Sequence, residues 1–197
     1  LVLTLLVVIF SPAVMAVYGM GFLDDPEKFQ LASEMLRITF PYLLLISLTG
    51  FAGSILNSYD RFSVPAITPI FLNLSLISAA LFAAPLFEQP VFALAWGVLL
   101  AGVVQLLFQL PFLAKIHLLP KPVLDFKGPG VSRIFKLMIP AMFGVSVGQI
   151  NLLLDTIIAT FLPGNAVSWL YYSDRLMELP LGVFGVAIAT VALPNLS

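Results

Sequence analysis

Three charged residues, Asp174, Arg175 and Glu178, stand together in the middle of a mainly apolar stretch, and their spacing is the strongest indication of chemistry in this sequence. A charge at the centre of a bilayer costs about 2.5 kcal/mol or more, so such residues usually face a water-filled cavity or a partner. Residues three or four apart share one face of a helix, which predicts that Arg175 lies beside Glu178. The alternative is that the acids only neutralise Arg175 and that the cluster serves packing.

The chemistry that this cluster offers is anion recognition. The Arg175 guanidinium is a permanent cation whose planar fork of N–H donors matches a phosphate or pyrophosphate. Asp155, flanked by leucines and isoleucines, is the second ionisable residue inside an apolar segment. Its carboxylate can pair with Arg175, take up a proton or bind a hard cation such as sodium. The alternative for Asp155 is a hydrogen bond to a neighbouring helix.

The composition predicts the elements that must position these residues. The sequence has 197 residues, of which 60% are hydrophobic and 10% charged, whereas soluble proteins carry about 25% charged residues. We therefore expect an all-α, polytopic transmembrane helical bundle. A span needs about 20 mostly apolar residues, and about six such segments occur, at 1–18, 36–57, 64–87, 91–113, 134–161 and 167–193.

Other kinds of site find little support in the residues. There is no cysteine, which excludes disulfides and thiolate ligands within this segment. The single histidine, His117, has no companion ligands nearby, so we interpret it as a surface residue. No zinc-ligand spacing and no glycine-rich phosphate loop occur. We expect no enzymatic activity, no metal or other cofactor and no nucleic-acid partner.

A polar segment at 116–130, rich in proline and glycine, divides the sequence into two groups of spans. It predicts a part at 1–115 with about four spans, a linker at 116–130 and a part at 131–197 with about two spans. Basic residues cluster around the linker, which makes it cytoplasmic by the positive-inside rule. The sixth span then starts from the outer face, and Arg175 lies about 15 Å deep, near the middle of a ~30 Å hydrocarbon core. The sequence begins at Leu1 and ends without a polar tail, which we take as the sign of an internal fragment.

Several runs of residues resemble the MurJ/MviN family of bacterial lipid II flippases. The most specific is VSWLYYSDRLMELP at 167–180, with its continuation to 197. Similar runs are TFPYLLLISL at 39–48, ILN at 55–57, RFSVP at 61–65, ALAWGV at 93–98, Gln105 with QLP at 109–111, and GVSVGQI at 144–150. The resemblance covers nearly the whole chain.

The resemblance implies a two-lobe transporter of fourteen helices in the multidrug/oligosaccharidyl-lipid/polysaccharide exporter superfamily, with a cationic central cavity. This chain is similar to the third to eighth helices, and the linker at 116–130 then joins the two lobes. Arg175 matches a cavity arginine that engages the lipid-linked pyrophosphate, and Asp174 and Glu178 match its acidic neighbours. Asp155 falls where some members carry an acid and others an amide, which makes it the ion-coupling candidate for sodium or a proton.

The implied function is alternating-access transport of lipid II, the undecaprenyl-pyrophosphate-linked disaccharide-peptide precursor of peptidoglycan, across the bacterial inner membrane. The implied protein is a monomer among membrane lipids, with a role in cell wall biogenesis and cell shape. One rival is a polysaccharide-lipid or multidrug exporter of the same superfamily. A second is an integral membrane enzyme acting on polyprenyl phosphates, which needs a carboxylate pair or metal motif on a cytoplasmic loop. A third is a non-transporting scaffold, which needs neither Arg175 nor Asp155.

Overall fold

The computed structural model describes residues 1–119 and 129–180, and all regular elements in these ranges are helical. This confirms the predicted all-α class. The α-helices are α1 (Val2–Ile9), α2 (Ser11–Tyr18), α3 (Pro26–Thr39), α4 (Tyr42–Ser58), α5 (Ser63–Ser78), α6 (Val91–Lys115), α7 (Pro129–Thr160) and α8 (Ala166–Pro180). The central part of the predicted linker, 120–128, and the second half of the predicted sixth span lie outside the described residues.

Four described helical segments are long and apolar enough to cross a membrane, namely Pro26–Ser58, Ser63–Leu86, Val91–Lys115 and Arg133–Thr160. They correspond to the second, third, fourth and fifth predicted spans. The second is longer than predicted because α3 and α4 follow each other with only a turn at 40–41 between them.

The predicted first span, 1–18, is helical except at its first residue and at Phe10, where the structure divides it into α1 and α2. The Phe10 amide still donates to the Leu6 carbonyl at 2.9 Å, and the Val14 amide donates to the Phe10 carbonyl at 3.1 Å. Pro12 accounts for the break. Its nitrogen carries no hydrogen, so it has no donor for the carbonyl of Val8, and its ring crowds that carbonyl. Hydropathy alone does not register this effect, since proline interrupts the helix without lowering the apolar character of the segment.

Helices α4, α5 and α6 form the packed core of the molecule, with α6 in close contact with both of its neighbours. Small residues let the helices approach. A Cβ added to Gly97 would lie 2.8 Å from the Cβ of Ala79, and one added to Gly102 would lie 2.7 Å from the ring of Tyr42. Ser75 adds a hydrogen bond across the α5–α6 crossing, its hydroxyl donating to the Gly97 carbonyl at 2.7 Å.

Two helices of this core end in the same way. Asp60 after α4 and His117 after α6 adopt left-handed backbone conformations, with φ of 58° and 57°. The following amides, those of Arg61 and Leu118, donate back to the carbonyls of Leu56 and Leu113 at 2.9 and 3.0 Å. This is the Schellman arrangement that satisfies the last carbonyls of a helix. The exposed His117 thus ends a helix, which agrees with its interpretation as a surface residue.

The described chain divides into two compact units, one made of Leu1–Met15 with Glu27–Val131 and the other of Ala16–Pro26 with Ser132–Ser197. In the second unit, the Gly21 amide donates to the Thr160 hydroxyl at 3.0 Å. This bond joins the loop before α3 to the end of α7, as expected for two segments on the same side of a membrane. The division into parts at 1–115, 116–130 and 131–197 stays a prediction.

Candidate functional site

Arg175 lies on α8, and its guanidinium is held by residues one turn away on the same helix. Its Nη1 donates to the Glu178 carboxylate at 3.0 Å, and its Nε donates to the Tyr171 hydroxyl at 3.3 Å. The guanidinium also lies over the Tyr171 ring, 5.2 Å from its centroid. The predicted neighbourhood of Arg175 and Glu178 is therefore present, and Tyr171 is an additional partner that the charge pattern did not indicate.

The side chains of this ion pair are exposed, 62% for Arg175 and 66% for Glu178. A guanidinium has five N–H donors. Two of them are engaged by Glu178 and Tyr171, which leaves three without a partner among the described residues. Because Tyr171 and Glu178 hold two nitrogens of the Arg175 guanidinium, the orientation of the guanidinium is restricted while its other N–H donors stay available. Asp174 is half-buried on the same helix, and its predicted role beside Arg175 stays a prediction.

Asp155 lies on α7 and is exposed. One role predicted for its carboxylate is a pairing with Arg175. Within the described residues, however, α7 and α8 are not among the helix pairs that pack closely, and Arg175 finds its partners on its own helix. The described structure thus joins Arg175 with Glu178 and Tyr171, and the meeting of Asp155 with Arg175 in one cavity stays a prediction.

A cavity of about 840 Å³ in the second unit is a groove along α7 that also touches Tyr18. Its lining is mostly apolar, with Ser146, Gln149 and Thr156 as the polar members. Neither Asp155 nor Arg175 lines it. The same helix carries Gly144 and Gly148. A Cβ added to either glycine would have no described residue outside its own helix within 4 Å.

A second group of polar residues lies inside the α4–α6 core. The Tyr42 hydroxyl donates to Gln105 Oε1 at 3.3 Å, and Gln105 Nε2 donates to the Thr68 carbonyl at 3.2 Å. Gln109 Nε2 donates to the Thr68 hydroxyl at 2.9 Å. Sequence analysis had shown Gln105 and Gln109 on one helix face, but their partners on α4 and α5 become evident only from the packing.

The residues of this network face a cavity of about 350 Å³ between α4, α5 and α6. Further hydrophilic side chains line it, those of Thr49, Ser54 and Asn57. Gln105 and Gln109 are buried, with exposures of 2% and 1%. The core of the first unit therefore contains a cavity that has no charged lining residue and carries a cluster of polar side chains on a mainly apolar wall. It lies between helices that are long enough to span a membrane.

These features together define a class. A helical chain with several membrane-length apolar helices, a buried polar network and charged residues on a predicted span is a multi-pass membrane protein, and its chemistry suits the handling of an anionic ligand. The family model for the lipid II flippase MurJ matches residues 1–197, so the chain belongs to this family.

Curated relatives agree with this assignment. The chain is 50% identical to a probable lipid II flippase MurJ of Haemophilus influenzae, over 100% of the chain and 40% of that protein. It is 52% identical to the corresponding protein of Vibrio cholerae, over 100% of the chain and 39% of that protein. A lipid II flippase MurJ of Burkholderia cenocepacia is 46% identical over 90% of the chain. The chain spans about 40% of the length of the first of these relatives.

Proposed function

We propose that this chain is the part of a lipid II flippase that contributes a phosphate-binding arginine to the transport pathway. The transported molecule is the undecaprenyl-pyrophosphate-linked disaccharide-peptide, which moves from the inner to the outer leaflet of the bacterial cytoplasmic membrane. Two findings support this proposal, the family match over residues 1–197 and the names of the relatives, which are flippases and not enzymes.

The observation that carries the proposal is the state of the Arg175 guanidinium. It is a permanent cation oriented by Tyr171 and Glu178, and three of its N–H donors have no partner in the part of the chain that the structure describes. A pyrophosphate offers several anionic oxygens, and a planar fork binds two of them at once. Asp174 and Glu178 keep the local charge close to balance when no substrate is present, so the cation is not stranded in a medium of low dielectric constant.

Transport follows an alternating-access cycle in this proposal. Arg175 holds the pyrophosphate head group in a water-filled cavity while the polyprenyl tail stays among membrane lipids, and a change of conformation then exposes the head group to the outer face. Asp155 is the ion-coupling candidate, because an exposed carboxylate on a membrane-length helix can bind sodium or a proton and release it. The protein acts as a monomer, with the segment 116–130 on the cytoplasmic side.

The test replaces Arg175 in the full-length protein, in cells whose growth depends on it. Arg175→Ala is expected to abolish growth, because no other group in the cluster supplies a cation. Arg175→Lys is expected to restore growth only in part, because an ammonium is a point charge without the bidentate fork. Arg133→Ala is the matched control, since Arg133 is an exposed arginine at the start of α7, and this variant should grow normally.

Amounts of each variant in the membrane are measured alongside growth, so that loss of the protein is not mistaken for loss of transport. Accumulation of lipid II in the inner leaflet on depletion supports the proposed substrate. Accumulation of another lipid-linked polysaccharide would instead favour the related exporter. Normal growth of Arg175→Ala at normal membrane levels would remove the role given to this residue.

A further inference from the structure

The cavity between α4, α5 and α6 is an open groove whose mainly apolar lining carries a row of polar side chains. Its wall on α4 runs from Tyr42 to Asn57, a length of about 22 Å at 1.5 Å per residue. Asn57 stands at the end of α4, next to the turn that leads into α5, and the buried glutamines of α6 form the floor. The groove therefore extends from one end of the helices over much of a ~30 Å hydrocarbon core.

The hydrogen bonds fix how the two glutamine amides are turned. The Thr68 hydroxyl donates its single proton to the Val64 carbonyl at 2.9 Å, so its oxygen can only accept from Gln109. Gln109 must present its nitrogen to Thr68, which leaves Gln109 Oε1 as a buried acceptor with no partner among the described residues. A buried acceptor without a donor costs about 1–3 kcal/mol unless water or another group supplies one.

Two hydroxyl oxygens along the groove can also accept a hydrogen bond, although each already makes one as a donor. Thr49 and Ser54 donate their hydroxyl protons to carbonyls of their own helix, at 2.8 and 2.9 Å, so their oxygens face the groove as acceptors. Pro69 lies inside α5 and has no N–H for the Pro65 carbonyl, one turn earlier. Acceptors thus outnumber the remaining donors, which are amide hydrogens of Asn57 and the glutamines.

The size of the groove decides what fits. At about 30 Å³ per water molecule, its volume of about 350 Å³ corresponds to about twelve waters. Spread over about 22 Å, this is a file only one or two water molecules wide. The lining contains no charged side chain, so a phosphate-bearing ligand finds no ionic partner there, whereas water supplies the missing donors and needs no charged partner.

We propose that this groove holds a file of water molecules that reaches from the Asn57 end of α4 to the Thr68–Gln109 pair inside the membrane-spanning part of the first unit. The waters donate to Gln109 Oε1 and to the hydroxyl oxygens of Thr49 and Ser54. The site is separate from Arg175 and independent of which lipid is transported.

The experiment uses the full-length protein with cysteines placed singly, which is simple in this region because the present chain contains none. Thr49→Cys and Ser54→Cys put a thiol in the groove, and Leu48→Cys puts one on the outward face of the same helix, where Leu48 is 44% exposed. Silver ion is the probe, since it is small enough for a narrow file and reacts with the thiolate, which forms only in contact with water. The readout is the thiol that a maleimide no longer labels after silver treatment and denaturation.

Thr49→Cys and Ser54→Cys are expected to react at least about tenfold faster than Leu48→Cys. Thr68→Cys, with Ile67→Cys as its control, measures the access of silver to the groove from α5. This pair is used in case a variant on α4 fails to fold. Equal, slow reaction of the groove and outward-facing thiols would show a dry groove covered by another helix and would overturn the proposal. Fast reaction at Ser54→Cys with slow reaction at both Thr49→Cys and Thr68→Cys would also overturn it, because water would then be confined to the mouth.

Discussion

The α4–α6 core and the α7–α8 region are both rich in apolar residues, but they differ in where their polar side chains find hydrogen-bond partners. In the core, Gln105 joins Tyr42 on α4 to Thr68 on α5, and its side chain is almost fully buried. In the α7–α8 region, the hydrogen-bond partners that the described residues offer to Arg175 and Glu178 lie on the same helix, and both side chains are mostly exposed. A polar residue in a membrane sequence therefore stabilises the fold when its hydrogen bonds are made to another helix. It remains available for a ligand when its hydrogen bonds are made within its own helix.

Glycines show the same contrast. Gly97 and Gly102 lie where helices meet, with neighbouring atoms 2.7–3.0 Å from any added Cβ. Gly144 and Gly148 have the spacing that permits close helix approach, yet no atom of residues 1–119 or 129–180 outside their own helix lies within 4 Å of an added Cβ. Spacing alone does not distinguish a glycine that is used for packing from one that is not.

The strongest test of this contrast replaces one glycine of each kind by valine in the full-length protein. Gly97→Val is expected to destabilise by about 1–3 kcal/mol or more, because the new side chain collides with Ala79 and no flexible group can move aside. Gly144→Val is expected to change stability much less. The measurement is the midpoint of thermal unfolding of each purified variant in detergent.

An equal loss for Gly144→Val would mean that a helix outside this chain packs on α7 in the complete protein. The contrast would then be a property of the segment and not of the whole molecule. Gly50→Val serves as the control within the core, since it lies on α4 but meets nothing within 4 Å.

Local geometry explains what could be predicted from sequence and what could not. The proximity of Arg175 and Glu178 could be predicted because residues three apart lie on the same face of a helix. The second to fifth spans could be predicted from hydropathy. The interruption of the first span at Phe10 could not be predicted from hydropathy, because Pro12 disturbs the helix without lowering its apolar character. The partners of Gln105 lie on two other helices, and no pattern within one segment encodes that meeting.

The core network offers a test of intermediate size. Gln105→Met keeps the volume but leaves the Thr68 carbonyl and the Tyr42 hydroxyl without their partner, and a cost of about 1–2 kcal/mol is expected. Gln109→Met removes one hydrogen bond and also the unpartnered Oε1, so its cost should be smaller. Thermal unfolding of the two variants side by side checks the order, and the reverse order would mean that Gln109 has a stronger partner in the complete protein.

The smallest effect on stability is expected at the exposed ion pair. Glu178→Gln keeps the shape of the side chain and removes its charge, and exposed pairs contribute little to folding, so the unfolding temperature should stay within error of the unmodified protein. Transport should nevertheless fall, because Arg175 loses the carboxylate that orients its fork. Growth under dependence on the variant, measured beside its unfolding temperature, separates the two effects. The opposite result is that Glu178→Gln lowers the unfolding temperature as much as Gln105→Met while growth stays normal. The cluster of Asp174, Arg175 and Glu178 would then serve packing, with the acids only neutralising Arg175.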